Sequence, residues 1–241
     1  MAAGPGIRPR APHSPWLAAR SARNYPSLVA AALALDLTDV TYSGATTAHI
    51  LRESQNGVPP QIEAVRADTA LVTITIGGND VGYVPALSAA ALPTVLHRLP
   101  PLRALLDAQA REQALVRVGD SLRAVGDAVR AAAPDARVLF VDYLTLLPPA
   151  GEPAAPLSVA DADLGRHIAA RLARLTAAAA DDSGCELISA AAASIDHHAW
   201  SARPWTVGAG LPVPWRPAPF HPNAAGMRAV ADLIVAALKP A

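Results

Sequence analysis

Residues 70–80 read ALVTITIGGND. Leu71, Val72, Thr73, Ile74, Thr75 and Ile76 make a nearly continuous apolar, β-branched run, and Gly77-Gly78 ends it. β-Branched side chains fit a pleated surface, and a run without polar alternation suits a parallel strand buried on both faces. Downstream, residues 105–133 place Leu115, Val118, Leu122, Val125 and Val129 at steps of three and four, which predicts a helix with one apolar stripe, stopped by Pro134. Residues 138–141 (VLFV) predict a second buried strand. A helix follows over 159–180, with Leu164, Ile168, Leu172 and Leu175 on one face, then a short strand at 186–189 and a closing helix at 223–238. Upstream, 37–42 (LTDVTY) predicts a strand and 25–35 a helix, while the Pro/Gly/Arg-rich 1–21 reads as loop. Alternating strands and helices define an α/β domain with a mostly parallel sheet covered on both faces. No linker divides it, so 1–241 is expected to be one domain.

Composition narrows the function. Basic and acidic residues balance at 20 each and the basic ones are dispersed, which speaks against a nucleic-acid partner or a polybasic membrane patch. No run approaches the roughly 20 apolar residues of a membrane span. Hydrophobic residues make up 52% but aromatics only 4%, so the core must be built from Ala, Val, Leu and Ile. Cys185 stands alone, so no intrachain disulfide can form. With no apolar leader behind Met1, a cytoplasmic location is favoured for a chain starting there, and secretion if the true start lies upstream.

Three segments end strands or open helices, where α/β sheets place their chemistry. Gly77-Gly78-Asn79-Asp80 allows a tight path that aims the Asn79 amide into a cleft. In Ser43-Gly44-Ala45-Thr46-Thr47, Gly44 can offer its N–H because no Cβ blocks approach. Phe220-His221-Pro222-Asn223 opens the last helix, with Asn223 as its N-cap. Taken singly, the first reads equally as a turn, the second more readily as a strand-to-helix turn, and His221 as a solvated loop residue.

Their order carries more. Gly44 in SGATT, Asn79 in GGND and His221 in HPNAAG, with AAGPG at 2–6 and SARNYP at 21–26, resemble the SGNH hydrolases, or GDSL-type esterases, over nearly the whole chain. The resemblance implies a three-layer α/β/α sandwich with a flavodoxin-like five-stranded parallel sheet. It implies His221 as general base, with the Gly44 N–H and the Asn79 amide as oxyanion donors. It implies a small ester substrate, no cofactor, no metal and a monomer. Gly44, Asn79 and His221 are therefore expected to converge at the carboxyl edge of the sheet.

The chain also departs from that pattern. Gly4 matches the last glycine of the family's serine block, so Met1 falls directly after the serine. The nucleophile and the first strand are then expected upstream of Met1. Gly119-Asp120-Ser121-Leu122 spells the motif but lies inside the predicted 105–133 helix and after Asn79, where a nucleophile turn cannot sit. Where the family often carries an Asp three residues before the histidine stands Ala218, whose carbonyl is expected to accept the imidazole N–H; Asp196 is the other choice. Positions where many secreted relatives carry a cysteine pair read Ala18 and Tyr42. Adjacent His197 and His198 read as polar loop rather than metal ligands. The 196–220 loop, with Trp200, Trp205 and Trp215, is expected to shape an acyl pocket. Alternative readings are a non-catalytic ligand-binding pseudo-esterase, and an acyltransferase or thioesterase built on the same residues.

Overall fold

The computed structural model describes residues 1–213 and 216–239, so Trp215 lies outside the described residues. Asn24 caps α1 (Tyr25–Leu33) by accepting from the Ser27 N–H at 3.1 Å. Then come α2 (Thr47–Leu51), β1 (Leu71–Ile74), α3 (Tyr83–Ala90) and α4 (Pro100–Leu106). The helix expected over 105–133 is interrupted at Asp107, whose carboxylate accepts from the Gln109 and Ala110 N–H groups and so starts α5 (Ala108–Ala132). Strand β2 (Arg137–Val141), α6 (Val159–Asp182), β3 (Glu186–Ile188), the short α7 (Ala190–Ala193) and α8 (Ala224–Leu238) complete the chain.

The three strands are parallel in the order β1-β2-β3, with Ile74 opposite Phe140 and Val141 opposite Ile188. Alternation along β2 divides the core into two. Val138 and Phe140 pack with Leu115, Leu122 and Leu172 of α5 and α6. Leu139 and Val141 face the other way, against Tyr25 and Val29 of α1 and Met227 and Ile234 of α8. Each such side chain contributes about 1.5–3 kcal/mol by leaving water. The result is the expected three-layer α/β/α arrangement. No described helix is long and apolar enough to cross a membrane.

Two strand expectations fail for one reason. The sheet shows three strands among the described residues rather than five, and the 37–42 segment is extended but pairs with none of them. Side chains hold that segment instead. Arg20 donates twice to the Thr41 carbonyl (2.9 and 2.7 Å), the Asp39 carboxylate accepts from the Thr41 N–H at 2.9 Å, and Asn24 donates to Asp39 at 2.7 Å. Between Val40–Thr41–Tyr42 and the Val72–Ile76 backbone lies a cavity of about 100 Å³, with Met1, Ala2 and Ala3 in its wall. Strand β1 therefore has one open edge, and of its four residues only Ile74 is buried. The expectation of burial on both faces is corrected accordingly.

Candidate active site

The GGND loop is held from two sides. Gly78 donates its N–H to the Tyr143 hydroxyl at 2.9 Å, and a Cβ on Gly78 would lie 2.6 Å from that phenol. Only glycine fits there. Burial pushes the ionisation of Tyr143 well above the usual phenol range, so it remains a neutral hydroxyl. On the other side the Asp80 carboxylate accepts from the Thr47 N–H (3.1 and 3.2 Å) and hydroxyl (2.5 Å), tying the loop to the start of α2. The sequence reading missed Thr47, Asp80 and Tyr143 as positioning residues. Asp80 stands inside the motif, but its partner is 33 positions away.

Between these clamps, Asn79 donates its side-chain N–H to the Ala45 carbonyl at 2.8 Å, which sets the amide beside the Gly44–Ala45 peptide. Gly44 is exposed in a turn closed by Ala45 N–H to the Tyr42 carbonyl, 3.2 Å. Its φ of +78° favours glycine, although an added Cβ would meet nothing nearer than 3.8 Å. Asn79 and Gly44 are thus brought together by one hydrogen bond.

His221 stands in the loop just ahead of α8. Asn223 fixes that start twice: its Oδ1 accepts from the Gly226 N–H (3.0 Å), and its Nδ2 donates to the Pro204 carbonyl (2.7 Å). The His221 Nδ1 bonds the Pro219 carbonyl at 2.8 Å, which requires the proton on Nδ1 and leaves Nε2 as the basic nitrogen. This corrects the expectation for Ala218, whose carbonyl instead accepts the His221 backbone N–H at 3.2 Å. The shift follows from Phe220, fully buried and held at φ +56°, which turns the chain so that the Pro219 carbonyl meets the ring. Asp196 is exposed and makes no bond to His221.

Burial above all lowers the His221 pKa to about 4, against a smaller opposing effect of the Pro219 carbonyl. The imidazole is therefore neutral at ordinary pH. Met1 shares the cavity wall with Asn79 and Ala45.

Other sequence candidates are placed elsewhere. Ser121 lies within α5 with its hydroxyl on the Arg117 carbonyl (3.4 Å), flanked by the buried Val118 and Leu122. Ala18 and Tyr42 are both buried, and the Ala18 carbonyl accepts from the Ser43 N–H at 3.1 Å, so a main-chain bond joins these neighbouring stretches. His197 stacks on Trp205 (4.0 Å between centroids, 3° between planes) and bonds the Arg203 carbonyl; His198 accepts from the Trp200 N–H. Trp200 donates to the Ala155 carbonyl at 3.1 Å. Trp200 and Trp205 thus brace the 196–220 loop instead of lining the cavity beside Asn79.

A parallel α/β sandwich with an asparagine amide after β1, a glycine N–H bonded in beside it and an Nδ1-anchored histidine ahead of α8 has the form of an acyl-group hydrolase. The chain belongs to the GDSL-like lipase/acylhydrolase family, which matches residues 1–229. It is 32% identical over 243 aligned positions to Lipase 2 of Streptomyces coelicolor, covering 95% of this chain and 80% of that one. The solved extracellular lipase of Streptomyces rimosus superposes with a TM-score of 0.80 at 26% identity, over 98% of this chain and 94% of that one. Phospholipase A1 of Streptomyces albidoflavus gives 0.80 at 25% identity, over 99% and 95%.

Proposed function

We propose that the protein hydrolyses carboxylic esters through a serine acyl-enzyme. His221 Nε2 takes the serine proton as the hydroxyl oxygen attacks the ester carbonyl. The Gly44 N–H and the Asn79 amide receive the oxyanion. The C–O bond then breaks, His221 gives the proton to the leaving alkoxide, and water repeats the sequence to release the acid. The Pro219 carbonyl fixes the tautomer; it stabilises the imidazolium less than a carboxylate would. The observation that carries this reading is the Asn79 amide set beside the Gly44–Ala45 peptide, together with a histidine ahead of α8 whose Nδ1 is tied to the Pro219 carbonyl and whose Nε2 is left basic. Lipid esters are favoured as substrates by the lipase and phospholipase names of the relatives.

The serine itself belongs, in this reading, directly ahead of Met1. Among the described residues no hydroxyl is hydrogen-bonded to His221, which is the observation that favours the non-catalytic alternative. Turnover of short-chain nitrophenyl esters separates the two. The chain starting at Met1 is expected to be nearly inert, and the chain extended in its native frame through an upstream strand and serine to be active. That activity should fall by roughly 10³-fold or more in His221→Ala. Full activity surviving His221→Ala would refute the assignment, and inertness of the extended chain would favour ligand binding.

A further inference from the structure

The chain is neutral overall, but its charges are unevenly placed. Residues 1–35 hold four arginines, of which Arg20 pairs with Asp39 at 3.5 Å, and no acidic residue, and residues 197–231 hold three arginines and none. The remaining stretches together are acidic. These two basic segments both border the site: one begins at Met1 and the other runs into His221. They are also stitched together. The Ala218 N–H donates to the Pro5 carbonyl at 3.1 Å, and Gly6 lies so close to Arg216 that a Cβ would stand 1.9 Å from its carbonyl oxygen.

The same segments carry large apolar side chains in water. Trp16 is 74% exposed, Leu17 61%, Leu211 73% and Val213 49%. Scattered surface leucines are ordinary. Here they coincide with positive charge of one sign. The Arg10 guanidinium lies 5.0 Å from the centre of the Trp16 ring and also donates to the Ser14 carbonyl. An indole beside a guanidinium, with a leucine next to it, suits the boundary where phosphate headgroups meet acyl chains.

We propose that the Arg10–Trp16–Leu17 loop and the Leu211–Val213 stretch with Arg216 dock the protein on an anionic lipid surface, with the mouth of the site against it. The arginines meet lipid phosphates and the apolar side chains enter the headgroup layer. The inference rests on the ester-hydrolase reading for its purpose, since lipid esters gather at lipid–water surfaces, but its test needs no turnover.

The test is co-sedimentation of the full chain with vesicles of phosphatidylcholine alone or mixed with phosphatidylglycerol, at moderate and high salt. Binding is expected to the anionic vesicles, to weaken as salt rises, and to be slight on phosphatidylcholine. A basic residue close to such a surface is worth roughly a five-fold factor, so Arg10→Ala with Arg216→Ala should lower partitioning on the order of 25-fold. Trp16→Ala with Leu17→Ala should weaken it further, and Arg66→Ala, ahead of the amino end of β1, should not change it. Thermal unfolding of each variant establishes that it is folded, and Arg10→Lys with Arg216→Lys should restore most of the binding. Three results would overturn the proposal: no binding to anionic vesicles, equal binding by the parent and the Arg10→Ala/Arg216→Ala protein, or equally strong capture by a soluble polyanion. Vesicle binding without ester turnover by the chain extended upstream through the serine would leave the docking surface standing and count against the hydrolase reading alone.

Discussion

Replacing Tyr143 with phenylalanine removes one oxygen and tests how the GGND loop is held. The hydroxyl accepts the Gly78 N–H at 2.9 Å, and Gly78 and Tyr143 are both buried. Phenylalanine keeps the ring and its packing against Tyr83, a T-shaped contact of 6.4 Å, but leaves the amide without its acceptor. A buried donor left unsatisfied costs about 1–3 kcal/mol. For a chain of this length each kcal/mol lowers Tm by about 2–4 °C, so a fall of roughly 2–12 °C is expected. Gly78→Ala strikes the same contact from the other side, because its methyl would stand 2.6 Å from the phenol. Overpacking of that kind costs about 1–3 kcal/mol. Since the two changes share one contact, the double variant should be less destabilised than the sum of the singles, by about 0.5 kcal/mol or more. Calorimetric unfolding of the four proteins at one pH provides the cycle. A Tyr143→Phe protein within about 1 °C of the parent, or strict additivity, would show that this bond does not hold the loop.

Three further outcomes follow from the site. The His221 ring protons in an NMR titration should move with a midpoint near 4; a midpoint at the ordinary value would contradict the burial described. Folding holds the His221 proton more weakly than the unfolded chain does, so that contribution to stability is lost as pH falls from about 6.5 toward 4. Asp142, whose carboxyl burial raises to about 6, does the reverse and gains stability as pH falls through 6, so Asp142→Asn should steepen the loss of Tm on acidification, and an unchanged pH profile would contradict this. Asn223→Ala removes both the α8 cap and the tie to Pro204 and should cost about 1–2 kcal/mol, read as a lower Tm; no change would mean that neither bond matters.

What the sequence disclosed and what it hid follow from the range of each interaction. The strands at 71–74, 137–141 and 186–188 were legible from short runs of apolar and β-branched residues, although only β2 is buried almost throughout. The long helices were legible from their stripes, and Ser121 was placed in α5 by the same periodicity. The break at Asp107 was hidden, since a capping carboxylate inside an otherwise helical pattern looks like a surface residue. Residues 37–42 have strand composition, but a ladder needs a partner, and Arg20 and Asp39 satisfy that backbone instead. In the site, motif order indicated Gly44, Asn79 and His221, whereas the Thr47–Asp80 and Gly78–Tyr143 clamps join positions 33 and 65 apart and have no local signature. The choice between Ala218 and Pro219 depended on the left-handed Phe220, which composition does not disclose.

That last turn bears on how the site can change over generations. Where a carboxylate orients a histidine, a single codon change can delete or swap it. Here the orienting group is a peptide oxygen, present whatever side chain position 219 carries, so no substitution can remove it outright. Its vulnerability lies in geometry: the path from Ala218 to His221 depends on an aromatic ring buried at residue 220. Drift can therefore erase many neighbours of this histidine without unsettling it, while a change at Phe220, which touches no substrate in any step proposed for the reaction, would turn the oxygen away.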